Sequence, residues 1–384
     1  METDDAGEEY RVKGEGKVRF VVVGCGHIGK RHIEMIRQNP EAELVAVCDI
    51  LPLDLLGLDS CTLYLSPFTF HPLSFTPYFP DLESLLSSGI PFDVLNICVP
   101  NGLHAAMAIR GMETGHHVVI EKPMALNTED AGKILSTAGQ YKKKVFCVMQ
   151  NRYSPPSVWI KEMVDSGRLG KLFWVQINCF WNRDARYYQP DSWHGDKAMD
   201  GGTLFTQFSH FIDLMYWLFG DIQNIDARFM DFNHQTLTDF EDSGVVTFDF
   251  VNGGSGVFNY STSVYDTNFE SSVTILAEKG TIKIGGQYMN AVEYCHVKDY
   301  VMPALPPTNP GNDYGTYKGS AQNHQFVIDN VVKVLKNKEK NITTNVADGY
   351  KVVDIIERIY SIIPPTAAPK SLPPFELSGR RDRK

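Results

Sequence analysis

Gly24-Cys25-Gly26-His27-Ile28-Gly29 stands between the apolar run VRFVVV and the amphipathic run IGKRHIEMI. Strand, glycine turn and helix in that order restrict this part of the chain to a parallel sheet whose first crossover helix points its N-terminus at an anion. The glycines allow a tight turn and close backbone approach, and the free N–H groups and dipole of the helix stabilise a pyrophosphate. His27 and Ile28 fill the variable positions; His27 either bonds phosphate or only occupies its place. Asp49 closes the next apolar run, ELVAVCD, 20 positions after Gly29. A carboxylate there accepts from adenosine ribose hydroxyls and repels a 2′-phosphate. Because Ile50 rather than arginine follows, the expected cofactor is NAD.

The βαβ rhythm continues through DVLNICVP, HHVVIEK and KKVFCVMQ, with LHAAMAIRGMETG and NTEDAGKILSTAGQYKK as intervening helices and Thr128 as the cap of the second. Residues 18–150 are therefore read as a Rossmann doubly wound parallel sheet. The stretch 51–80 holds five prolines and many aromatics where a helix and a third strand belong, and it receives no element beyond a surface loop. Past Asn151 the pattern changes to long alternating runs such as KLFWVQINCFW, SGVVTFDFV and SSVTILAEKGTIKIG. These suit a large, open, mixed or antiparallel sheet with one face buried. Helices are expected in SPPSVWIKEMVDSG, AQNHQFVIDNVVKVLKNK and ADGYKVVDIIERIYSII. The fold class is thus α/β followed by an α+β domain over 151–363, with a disordered tail at 1–17 and a mobile one at 364–384.

A net charge of −10 argues against a nucleic-acid partner, which needs a basic face. Seven scattered cysteines without C-x-x-C spacing read as reduced thiols of a cytoplasmic protein, and no metal site is expected. Nothing approaches the roughly 18 unbroken apolar residues of a membrane span, so neither a membrane nor a nucleic acid is an expected partner.

Cys98-Val99-Pro100-Asn101-Gly102-Leu103-His104 and then Glu121-Lys122-Pro123 resemble the Gfo/Idh/MocA oxidoreductases, and the likeness extends over most of residues 18–363. The resemblance implies that Lys122 stands near nicotinamide and substrate hydroxyl, with Pro100, Asn101, His104 and Glu121 also on the cofactor side. A cation beside a developing alkoxide, or beside a catalytic base, lowers the barrier to alcohol oxidation. The stretch Asp200-Gly201-Gly202 to Asp213-Leu214 is similar to the family's glycine entry into a helix with the catalytic histidine, which places His210 as the base. Polyol-oxidising relatives carry Asp four positions earlier; this chain has Thr206, then Gln207, which weakens a carboxylate relay. Asp213 either orients His210 or is a surface carboxylate.

Asn151-Arg152-Tyr153 and Ser192-Trp193-His194-Gly195-Asp196 resemble relatives acting on nucleotide sugars, notably UDP-N-acetylglucosaminuronate and UDP-N-acetylglucosamine 3-dehydrogenases. On that resemblance Arg152 is expected over the cleft, with Arg183, Arg186 and Lys197 as further cations for diphosphate or carboxylate oxygens. Trp181, Tyr187, Tyr188 and Trp193 offer flat faces for sugar or uracil, or are simply core. The expected activity is NAD-dependent oxidation of a secondary hydroxyl, at C3, of a nucleotide-linked amino sugar. The alternatives are a free-sugar or inositol dehydrogenase and a non-catalytic NAD-binding regulator. Family likeness further implies a homodimer or homotetramer.

Overall fold

The structure, a computed structural model, describes residues 16–58, 76–190, 192–315 and 317–362. The expected tail at 364–384, nearly all of that at 1–17 and the middle of the 51–80 stretch lie outside the described residues.

The apolar runs of the first half become β1 (Val18–Val23), β2 (Ala42–Cys48), β3 (Tyr78–Phe79), β4 (Val94–Ile97), β5 (His117–Ile120) and β6 (Val145–Cys147). They form one sheet in the order β3-β2-β1-β4-β5-β6, parallel throughout, which is the doubly wound Rossmann order. Strands β4, β5 and β6 are buried at every position, so their sequences are continuously apolar rather than alternating. Helices α1 (His27–Gln38), α2 (Leu82–Ser87), α3 (His104–Glu113) and α4 (Thr128–Gln140) supply the crossovers. The cap of α4 is Asn127, not Thr128: its side chain accepts from the Asp130 N–H at 2.8 Å. The third strand missing from the sequence pattern is only two residues long. Its Tyr78 hydroxyl donates to the Asp49 carbonyl at 2.9 Å and so props the end of β2.

The second half builds a seven-stranded sheet from β7 (Leu172–Phe180), β8 (Ile222–Met230), β9 (Ser243–Phe250), β10 (Ser255–Ser261), β11 (Glu270–Ala277), β12 (Gly280–Gly285) and β13 (Ala291–Val297). Its order is β13-β12-β11-β7-β10-β9-β8, with β7 and β10 parallel and the other pairs antiparallel. Alternation decides its faces. Val175, Ile177 and Cys179 of β7, Val246, Phe248 and Phe250 of β9, and Phe258 and Tyr260 of β10 point into one core. Trp174, Val245, Leu276 and Tyr294 lie exposed. Each fully buried aliphatic or aromatic side chain of that set contributes about 1.5–3 kcal/mol.

The parallel β7–β10 pair requires a crossover, and it carries the short helices α6 (Lys197–Asp200) and α7 (Thr203–Thr206) and then α8 (Ser209–Phe219), which follow α5 (Pro155–Asp165). A short hairpin, β14 (Gly311–Asp313) with β15 (Lys318–Ala321), precedes α9 (His324–Leu335) and α10 (Val346–Tyr360). Helix α9 packs on α1, and α10 packs on α4 and α8. The C-terminal helices therefore straddle both sheets.

Candidate active site

The turn after β1 is shaped by what a side chain would strike. Gly24 has φ +84°, and a Cβ on it would stand 2.5 Å from the Cys98 carbonyl oxygen at the end of β4. A Cβ on Gly29 would run into the Gly24 carbonyl, whereas Gly26, the N-cap of α1, has open space and no side-chain cap. The first N–H groups of α1 thus keep no side-chain partner at the cap, as a phosphate-binding helix start requires.

These groups open on a cavity of about 580 Å³ between the carboxyl ends of the Rossmann strands and the second sheet's helices. That size falls in the roughly 300–1,000 Å³ range of small-molecule sites. Gly24, Gly26, His27, Ile28 and Asp49 line one part of it, and Pro100, Asn101, Glu121, Lys122, Arg183, Trp193, Thr206, Gln207 and His210 line the rest. Asp49 accepts from the N–H groups of Cys25 at 2.6 Å and Leu51 at 2.9 Å. A carboxylate has about four acceptor directions, so capacity for ribose hydroxyls remains. An open glycine turn, an uncapped helix start and a carboxylate just after β2 thus face one cavity.

At the deeper end, the Lys122 ammonium donates to the Thr206 carbonyl at 2.5 Å, and the Lys122–Pro123 peptide is cis. Burial lowers the proton affinity of Lys122, with Glu121 opposing and Arg183 assisting the shift. Asn101 reaches across to the Asp200 carbonyl at 2.9 Å and the Thr206 hydroxyl at 2.8 Å. That hydroxyl in turn donates to the Asp200 carbonyl at 2.7 Å. His210, in the first turn of α8, is 2% exposed, and its Nδ1 has no hydrogen-bond partner among the described residues. Burial, then the Lys122 charge, holds its imidazole well below the ordinary histidine range, so the ring is neutral, with a lone pair on one of its two nitrogens.

Glu121 lies beneath Lys122. Its carboxylate meets His32 Nε2 at 2.8 Å, accepts from the Lys122 N–H at 3.1 Å and has His324 Nε2 at 3.8 Å. Burial would raise its pKa, but the His32 hydrogen bond and the charges of His32, His324 and Lys122 bring it to about 2. Ligand-type atoms of His32, Glu121 and His324 all lie within 4.8 Å of one another.

Several residues do not stand where the sequence suggested. Arg152 is buried away from the cavity and grips Asp213 bidentately at 2.8 and 2.6 Å, with Asp348 at 2.8 Å. Two carboxylates draw the guanidinium inward, and Asp213 is thereby occupied with Arg152 instead of orienting His210. Tyr153 stacks on Phe326, ring centroids 5.8 Å apart. Tyr188 packs behind Tyr187 against His234 and Phe240, and it is Tyr187 that lines the cavity. His104 sits below the surface, bonding the carbonyls of Pro123 at 2.7 Å and Val99 at 2.8 Å; it ties two loops together rather than lining the cavity. Gly29 acts through packing, for the reason given above. Arg186 is at the surface with Asp184 and Asp266, and Lys197 opens α6 outside the lining.

The hairpin β14–β15 is the part sequence reasoning missed. Tyr314 sets its ring edge-on to His27 at 5.7 Å and lies 4.9 Å from Tyr317, whose ring faces Arg183. With Asn312, Ser320 and His324 it walls the cavity between cofactor turn and reaction end. Only the two tyrosines and glycines of GNDYGTYKG hinted at it, without a period to read.

A family model described as an oxidoreductase family with NAD-binding Rossmann fold matches residues 18–149, and the GFO/IDH/MocA C-terminal domain matches 158–283. Among solved structures, the WlbA dehydrogenase from Bordetella pertussis, in complex with NADH and UDP-GlcNAcA, superposes with TM-score 0.77 at 30% identity, covering 90% of this chain and 96% of that one. The Chromobacterium violaceum WlbA complex with the same two ligands gives 0.75 at 27%, covering 90% and 93%. The inositol 2-dehydrogenase of Rhizobium meliloti is 22% identical over 75% of this chain and 82% of its own length. An uncharacterized oxidoreductase of Synechocystis is 26% identical over 56% of this chain, and the match spans only 60% of that protein.

Proposed function

The chain belongs to the Gfo/Idh/MocA oxidoreductase family, with its NAD-binding Rossmann fold, and on that premise we propose that it oxidises a secondary hydroxyl, at C3, of a nucleotide-linked amino sugar such as UDP-N-acetylglucosaminuronate. The observation that carries the reading is the convergence of Lys122 and His210 on one cavity continuous with the glycine turn. Likeness to the two WlbA complexes supports the sugar class.

Gly24, Gly26, Ile28 and Asp49 would hold the dinucleotide, with Glu121 and Lys122 on the same cavity toward its reacting end. When bound, NAD supplies the acceptor for the carbinol hydride. The neutral His210 imidazole takes the hydroxyl proton, and the Lys122 ammonium stabilises negative charge on the oxygen. Thr206 fixes Lys122 through its backbone carbonyl and offers no charge of its own, so no carboxylate relay operates from that position. A non-catalytic regulator would have no use for both groups on one cavity.

Reduction of NAD on mixing the protein with UDP-N-acetylglucosaminuronate, followed at the NADH absorbance band, tests this reading. Reduction with myo-inositol but with neither UDP-sugar would favour the second reading, a free-sugar or inositol dehydrogenase, which the Rhizobium meliloti match supports. Reduction with none of them would overturn both. Self-association through the open face of the second sheet, as dimer or tetramer, belongs to the same proposal; a monomer mass by light scattering would refute it. Six described cysteines are free thiols, in keeping with a cytoplasmic setting, and no helix among the described residues is long and apolar enough to cross a membrane.

A further inference from the structure

The glycine entry Asp200-Gly201-Gly202 that leads to His210 meets the last residue of α10. Tyr360 sends its hydroxyl into the space beside Gly202: a Cβ there would stand 2.7 Å from that oxygen, and Gly202 has φ +121°. Gly202 is the N-cap of α7 and has no side chain with which to cap it. The Tyr360 hydroxyl does so from another element, accepting from the Leu204 N–H at 3.0 Å. Its own proton goes to Glu241 Oε1 at 2.7 Å, and the same oxygen accepts from Tyr260 at 2.9 Å. Thr203, the first residue of α7, donates its hydroxyl to the Glu241 carbonyl at 2.5 Å. Glu241 is buried, and neither it nor Tyr360 lines the cavity. Neither cofactor binding nor proton transfer makes direct use of this cluster.

Helix α7 is a single turn of four residues, about 6 Å long. One turn cannot hold a direction by its own hydrogen bonds, so its axis is set by what grips its ends. Tyr360 and Glu241 grip the head. At the tail, the Thr206 carbonyl receives the Lys122 ammonium at 2.5 Å. Asn101 and Asp200 bond the Thr206 hydroxyl, which locates that residue, but the direction of its carbonyl follows the axis of the turn. The Tyr360 ring packs on Phe205 and Phe229, with centroids 5.9 and 5.6 Å apart. Removing the hydroxyl alone therefore leaves that packing in place.

We propose that Tyr360, held by Glu241, is a positioning residue for Lys122: it fixes the turn whose last carbonyl orients the ammonium, and so ties the end of the last helix to the rate of hydride transfer. The link to rate rests on the dehydrogenase reading above. The placement of Lys122 does not depend on the substrate.

Two measurements on Tyr360→Phe test it, with NADH binding as the check that each variant is folded. In the first, the full chain without cofactor is treated with acetic anhydride, and acetylation of Lys122 relative to the other lysines is read by mass spectrometry. An ammonium that loses a well-placed acceptor is more often the reactive neutral amine, so labelling of Lys122 should quicken by about tenfold. Unchanged labelling would overturn the proposal whatever the substrate is. In the second, NAD reduction by UDP-N-acetylglucosaminuronate should show kcat lower by about tenfold with the KM for NAD unchanged. Added to Lys122→Met, the same change should cost less than about twofold, because a residue that acts through another then has nothing to act on. Glu241→Gln, whose amide oxygen still accepts from both tyrosines, should keep kcat within about twofold, whereas Glu241→Leu should lose about tenfold. Equal losses with and without Lys122, or full turnover in Tyr360→Phe, would also overturn it. If wild type reduces NAD with no sugar, the dehydrogenase reading falls and the labelling still decides what positions Lys122.

Discussion

Lys122 and Thr206 join the two halves of the active site: the lysine at the end of β5 donates its ammonium proton to the threonine carbonyl at 2.5 Å, four residues before His210. The side chain of one sheet is thereby fixed by the backbone that leads into the helix of the other. Neither half alone presents a complete set of groups.

The division of labour between these groups is open to kinetic separation. Lys122→Met and His210→Asn should each lower kcat by about 100- to 10,000-fold, the usual worth of a positioned acid, base or charge. NADH affinity should change little for His210→Asn. Full turnover in either variant would exclude the assigned chemistry.

Gly24→Ala should impair cofactor binding and folding together. A left-handed φ of +84° costs a non-glycine residue about 1–2 kcal/mol, and the added methyl would press on the Cys98 carbonyl. A fluorescence titration with NADH should show affinity lower by tenfold or more; unchanged affinity would mean that the turn does not hold the pyrophosphate.

For the Arg152–Asp213 pair the expectation is one of stability. Arg152→Met leaves Asp213 buried with no counter-charge and should cost about 3–5 kcal/mol in urea unfolding. Arg152→Met with Asp213→Leu should recover part of that loss, since an apolar pair of similar volume tolerates burial. A single variant as stable as wild type would show that the ion pair holds nothing together.

Glu241 gives a pH signature. Its carboxyl accepts from Tyr260 at 2.9 Å and Tyr360 at 2.7 Å. Burial raises its pKa to about 7 although both tyrosines pull it down. The fold thus prefers the protonated acid. The contribution is fully present below the ordinary 4.5 and is lost as pH climbs through 7, at up to about 1.4 kcal/mol per pH unit inside that window. Glu241→Gln should flatten the fall in stability between pH 5 and pH 8. An unaltered slope would place the titration elsewhere.

What sequence made legible was chemistry written in neighbouring residues. The glycine turn with Asp49, the lysine before Pro123 and the histidine in the glycine-entered helix each depend on local backbone geometry, and the structure brings them to one cavity. The alternating runs of the second half gave its sheet because one face is buried. Arg152 was misplaced because its partners lie 61 and 196 positions away, beyond any periodic signal. Tyr187 and Tyr188 are adjacent, yet stand at 89° to each other; only the fold decides which faces the cavity. Tyr314 and Tyr317 of the wall lie in the connection between strands of three and four residues, too short to alternate visibly.

The return of α9 onto α1 bears on how the protein is made. Val327, Ile328, Val331 and Val332 share one core with Val18, Phe20, Ile33 and Ile36, so the first sheet stays uncovered on that side until α9 has left the ribosome. A fragment ending at residue 150 should therefore bind hydrophobic dyes and aggregate where the full chain does not. Nascent copies have greatest need of a chaperone during that interval.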